Sequence, residues 1–165
     1  MEDFIPSIHD LIMSGQILLS LLLGGVIGFE REARNKPAGL RTHMMVAAGT
    51  TAFTLASIYG FSMVSGQITR DPARVAAQIV SGIGFLGAGT IFRSGSSIRG
   101  LTTASTIWLV ASIGMLVGVG MYWLAIFTTV ISTVVLSFMP APIYKLERRL
   151  RVGEPSITPD DDEEL

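Results

Sequence analysis

Four long tracts of this chain carry no Asp, Glu, Lys or Arg: residues 11–29, 42–69, 75–92 and 100–144. The 12 basic and 13 acidic side chains are therefore confined to the remaining third of the sequence. A soluble globule needs charge on every outward face, and an average domain carries about 25% charged residues. Here the figure is 15%, with mean hydropathy +0.55. That distribution argues against a soluble enzyme, a disordered chain and a nucleic-acid binder. It points to an all-α, polytopic membrane protein. With no cysteine, disulfides, thiolate metal sites and cysteine nucleophiles are excluded. The acidic start, Glu2 and Asp3, is unlike a secretory signal, so the first apolar segment is expected to stay in the membrane.

A helix needs about 20 residues to cross ~30 Å of hydrocarbon. The first tract fits one crossing at 11–29, and the second fits one near 42–60. The third fits one at 72–92, with Asp71 as N-cap and Pro72 at the first helical position. The fourth is too long for one helix. Its reversal is expected at Gly118-Val119-Gly120, giving crossings near 101–117 and 121–139 before Pro140 and Pro142. The expected domain is a five-helix transmembrane bundle over 1–142. Ten of the 12 basic residues fall on one side of that arrangement, leaving Arg70 and Arg74 on the other. The positive-inside rule then orients the chain N-out and C-in. Residues 143–152 read as a basic interfacial helix suited to anionic lipid. Residues 153–165, ending in five consecutive acids before Leu165, read as a disordered tail.

Membrane helices associate through small and polar residues, because lipid is as apolar as the helices themselves. Gly24 and Gly28 form one small-xxx-small pair, and Gly114 and Gly118 another. The third helix carries Ala77, Ser81, Gly84 and Ala88 on one face, with Gly82 and Gly89 beside it. That helix is expected at the bundle centre. Gly82, Gly84 and Gly87 also match a dinucleotide fingerprint by letter. The fingerprint requires a preceding strand, so helix packing is the preferred reading and no cofactor is expected.

Polar candidates fall into two groups. Asp71, Arg74, Gln78 and Ser81 form a stripe along the third helix. Thr102 and Thr103 open the fourth, whose N-terminal amides could face an anion. Together they are either caps and interhelical hydrogen bonds or the wall of an ion or proton entrance. The second group is a charge cluster on the basic face: Glu30, Arg31, Arg41, His43, Arg93 and Arg99. Glu30 and Glu32 exceed what an orientation signal requires, and are expected to pair with Arg41 or Arg99. His43 has no second His or Cys near it, and no metal ligand set can be named. Neither a nucleophile–base pair nor a P-loop is present, so an enzyme is not expected.

Four ordered stretches, GGVIGFERE (24–32), PAGLRTHMMVA (37–47), DPARVAAQIVSGIGFLGAGTIFR (71–93) and RGLTTASTIWLVASIGMLVGVGMY (99–122), resemble the MgtC/SapB family of bacterial inner-membrane proteins. Carried over by position, the family's characteristic polar residues fall on Glu30, Arg31, Arg41, Thr42, His43, Asp71, Arg74, Gln78, Arg99, Thr102 and Thr103. The resemblance implies a multi-pass protein of the cytoplasmic membrane that supports adaptation to low magnesium, acid or ionic stress. It implies action through partner membrane proteins, the F-type ATP synthase among them. The alternative is transport of Mg²⁺, another cation or protons by a homodimer. Unlike virulence-type members, the chain has no cysteine and no soluble C-terminal domain is expected, so shorter housekeeping members are the closer comparison.

Overall fold

A computed structural model describes residues 6–60, 71, 73–95 and 97–138. It contains five α-helices: α1 (Ile8–Ala33), α2 (Leu40–Leu55), α3 (Ala73–Ala88), α4 (Leu101–Gly118) and α5 (Tyr122–Phe138). A π-helical turn, Ala56–Gly60, extends α2. Between α3 and α4 lies an antiparallel hairpin of β1 (Phe92–Ser94) and β2 (Ser97–Arg99). The segment 143–152, the tail 153–165, Arg70, Pro72, Pro140 and Pro142 lie outside the described residues.

The helix ends follow from local chemistry. Ser7 and Asp10 form a reciprocal capping box at the start of α1: Asp10 N–H donates to Ser7 Oγ at 3.3 Å, and Ser7 N–H to Asp10 Oδ2 at 2.8 Å. The far end of α1 closes on Asn35 with φ of 53°. Lys36 N–H reaches the Arg31 carbonyl at 3.0 Å and Asn35 N–H the Glu32 carbonyl at 2.9 Å, a Schellman closure. The same closure ends α4, with Gly120 at φ +83° and Met121 N–H donating to the Leu116 carbonyl at 2.8 Å. The chain thus reverses at the expected glycines. Asp71 caps α3 through Oδ1, which accepts from Ala73 N–H at 2.9 Å.

Three expectations need correction. The third helix ends at Ala88, not 92, because Gly89 breaks it and residues 92–99 pair as strands. The described residues are therefore mainly helical but not all-α. The bundle centre is formed by α2 and α4, not α3: α4 packs against every other helix and α2 chiefly against α1 and α4, whereas α3 and α5 lie on the flanks. Among α3 residues only Ile79 and Gly87 are buried.

The bundle is apolar both inside and out: Ile27, Val110, Ile113 and Val117 form a fully buried core, and polar groups are buried beside them. His43, Thr51 and Ser20 are fully enclosed, while Phe85 is 82% and Trp123 80% exposed. Large apolar side chains facing outward on every helix match a lipid-solvated surface, where small and polar groups collect inside. Two helices, α1 and α4, are long and apolar enough to cross a membrane; α3 and α5 are apolar but shorter.

Candidate functional site

The close approach of α1, α2 and α4 is set by four glycines. A methyl on Gly24 would sit 2.7 Å from the His43 carbonyl oxygen, and one on Gly28 2.8 Å from Leu40 Cα. On α4, Gly114 lies against the Ala47 carbonyl, and a methyl on Gly118 would meet Thr54 Cβ at 2.7 Å. Gly87 touches Ala104 at ordinary contact distance. Gly89 would meet only the carbonyls of Leu86 and Phe85, at the end of its own helix. Gly82 and Gly84 have nothing within 4 Å. The predicted packing glycines thus divide: those of α1 and α4 are in the bundle, whereas Gly82 borders the space between α2 and α3 and Gly84 is exposed.

With the helices running alternately up and down, the C-terminal ends of α1, α3 and α5 share one end of the bundle with the N-terminal ends of α2 and α4. A polar network is buried there. Glu30 accepts from Arg31 Nε at 2.6 Å and Nη2 at 3.1 Å, and from Arg34 Nε at 2.6 Å. The Arg31 side chain is only 3% exposed. A buried guanidinium is expensive unless charge-paired, and Glu30 supplies that pairing in a forked geometry. Arg34 also donates to the Ser137 carbonyl at 2.7 Å, tying α1 to α5. Glu32 accepts from Leu40 N–H at 2.8 Å and so caps α2, whose N-cap Gly39 has no side chain to do it. The expected pairing of these acids with Arg41 or Arg99 is therefore replaced by nearer partners.

His43 lies beneath this layer. Its Nδ1 is 2.8 Å from the Gly39 carbonyl and its Nε2 3.1 Å from Thr106 Oγ1. The carbonyl can only accept, so Nδ1 carries the proton in that contact. The Thr106 hydroxyl has one proton and two acceptors within reach, Nε2 and the Thr103 carbonyl at 2.9 Å. Arg31 and His43 are thus both buried at this end of the bundle, with Glu30 partly buried beside Arg31. Arg41, Arg93 and Arg99 are exposed at the same end.

The other group is split. Asp71, Arg74, Gln78 and Ser81 are exposed along α3. Thr102 is exposed and Thr103 buried, but both lie at the opposite end from Asp71, since Gly87 of α3 meets Ala104 of α4. The structure does not bring Asp71 to the Thr102–Thr103 helix start. Gln78 does line a cavity of about 540 Å³ between α2 and α3, whose other walls include Met45, Phe53, Ile79 and Leu86.

Several interior polar residues were not singled out from the sequence. Gln16 Nε2 donates to the Val117 carbonyl at 2.8 Å, and Ser20, Thr54 and Thr129 are buried. The signal was present: Gln16, Ser20, Gly24 and Gly28 recur every four residues, which places them on one helix face. Thr51 Oγ1 reaches the Gly114 carbonyl across the α2–α4 seam at 2.8 Å. Among the described residues no three His, Cys, Asp or Glu side chains converge as metal ligands.

Comparison with known proteins adds to this geometry. The model of the MgtC family matches residues 17–143. YhiD of Escherichia coli K12, named as a candidate magnesium transporter, is 43% identical over 133 residues, covering 79% of this chain and 62% of YhiD. Protein MgtC of Brucella abortus strain 2308 is 55% identical over 102 residues, 62% of this chain and 40% of that protein. Protein MgtC of Salmonella typhimurium is 48% identical over 115 residues, 70% of this chain and 47% of its own. The chain therefore spans less than two thirds of the length of these curated relatives. No solved structure matches it.

Proposed function

We propose that this chain, which belongs to the MgtC family, is a magnesium-related membrane protein that regulates partner membrane proteins through the outward face of α3. In this reading the chain crosses the bacterial cytoplasmic membrane five times, N-out and C-in. It supports adaptation to low magnesium, acid or ionic stress. The F-type ATP synthase is the first partner to test.

One observation carries the reading. The polar groups inside the bundle bond to this chain's own backbone, as Gln16, Thr51, Thr54 and Thr106 do, while Ala77, Ser81, Gly84 and Ala88 are exposed along one face of α3. In lipid, an outward face of small and polar residues favours another helix over acyl chains, through close backbone approach and interhelical hydrogen bonds. Gly84→Leu tests it. The open space at Gly84 lets the variant fold, so its stability is expected to match the parent. Association with the partner, read by co-purification from membranes, should be lost together with growth at low magnesium. Growth lost with association intact contradicts the reading.

A second reading is cation or proton transport by a dimer. The cavity reaching Gln78 favours it. Proteoliposomes should then show Mg²⁺, K⁺ or H⁺ flux that falls in Gln78→Ala and Asp71→Asn. Absence of flux under each gradient rules it out.

A further inference from the structure

The β1–β2 hairpin is unused by either reading. Its register pairs Phe92 with Arg99 and Arg93 with Ile98. Paired residues project from the same face of an antiparallel ladder, so each face presents one arginine beside one large apolar side chain. Phe92 is 51% and Ile98 59% exposed. Among the described residues neither arginine meets a carboxylate: Arg93 Nε donates only to the Gly95 carbonyl at 2.9 Å. The sequence from 72 to 146 contains no acid at all, and Glu30 and Glu32 are already engaged.

The hairpin is held, not loose. Gly100 adopts φ +92° and packs so closely on the Thr90 carbonyl that no side chain fits between them. Its height is set by α4, whose 18 residues rise about 27 Å, close to the ~30 Å hydrocarbon thickness. Immediately before the first residue of α4, the hairpin therefore lies at the headgroup level. A partner at that level must satisfy guanidinium groups and large apolar side chains on the same surface. A phospholipid leaflet does both, with phosphates above and acyl chains below.

We propose that the hairpin is a lipid-binding element, in which Arg93 and Arg99 hold the phosphates of anionic phospholipids while Phe92 and Ile98 enter the acyl region. It rests on the membrane-spanning reading of α4. Because the chain has no cysteine, Ser94→Cys can carry an environment-sensitive fluorophore in full-length protein. The protein is placed in nanodiscs of phosphatidylcholine, alone or with phosphatidylglycerol, and quenching by neutral acrylamide is measured. Each basic side chain near an anionic leaflet shifts the shielded-to-open ratio roughly fivefold, so phosphatidylglycerol should raise it by up to roughly thirtyfold. Arg93→Gln/Arg99→Gln should lose that response, Arg93→Lys/Arg99→Lys should keep most of it, and Phe92→Ser/Ile98→Ser should be open in both lipids. Equal quenching in both lipids, or a response surviving in the glutamine variant, overturns the proposal. So does a label open in phosphatidylglycerol nanodiscs but shielded in native membrane vesicles, which would mean a protein covers the hairpin. A label at Val130→Cys, midway along α5 and outward-facing, separates the spanning reading from the hairpin proposal. Quenching there in every bilayer overturns the spanning reading, and the hairpin proposal with it.

Discussion

At the scale of single residues, stability turns on which glycines face a neighbour. Gly114→Ala puts a methyl against the Ala47 carbonyl, and overpacking of that kind costs about 1–3 kcal/mol. Gly82→Ala meets open space and should stabilise by up to about 1 kcal/mol through helix propensity. Detergent unfolding of the two variants is expected to move in opposite directions. Glu30 offers a second contrast. Glu30→Gln leaves the buried Arg31 guanidinium without its carboxylate, a loss of about 3–5 kcal/mol. Adding Arg31→Met removes the stranded charge and should restore most of the unfolding midpoint. Both glycine pairs were readable from their four-residue spacing. Gln16 shares that spacing, but nothing in an apolar tract names the Val117 carbonyl it meets 101 positions later. His43 was visible as an isolated histidine, but its partner Thr106 comes from a helix the sequence cannot place beside it.

Among the elements, those with strong local punctuation were legible and those defined by neighbours were not. Gly118 to Gly120 marked the α4–α5 reversal, since only glycine takes the left-handed position without strain. Gly120→Ala should therefore cost about 1 kcal/mol, with hydrogen exchange rising first in the last turn of α4 as the readout. Two strands of three residues are too short for alternation to show, so Phe92 read as the end of an apolar helix. The misplacement of α3 has a different cause. Small residues at helical spacing occur on α1, α2, α3 and α4 alike, and spacing reports that a face is suited to packing without saying what it packs on. His43, Ala47, Thr50, Thr51 and Thr54 gave α2 an equally good stripe, and α2 took the centre together with α4. The corresponding face of α3 is left outward, which is where the functional proposal finds its contact surface.

For the whole molecule, the exposure of large apolar side chains on every helix is the governing fact. Uncharged tracts became helices with apolar exteriors and an interior where Ile and Val side chains mix with buried hydroxyls and close-packed glycines, and lipid is the solvent in which that arrangement is favourable. The proposed functions all depend on the direction in which those helices run through a bilayer. The absence of native cysteine makes that direction measurable with single cysteines and a membrane-impermeant maleimide in intact cells. Lys36→Cys and Ser94→Cys should stay unlabelled until the cells are permeabilised, whereas Asp71→Cys and Met121→Cys should label at once. Labelling of Lys36→Cys and Ser94→Cys from opposite sides of the membrane would contradict the account.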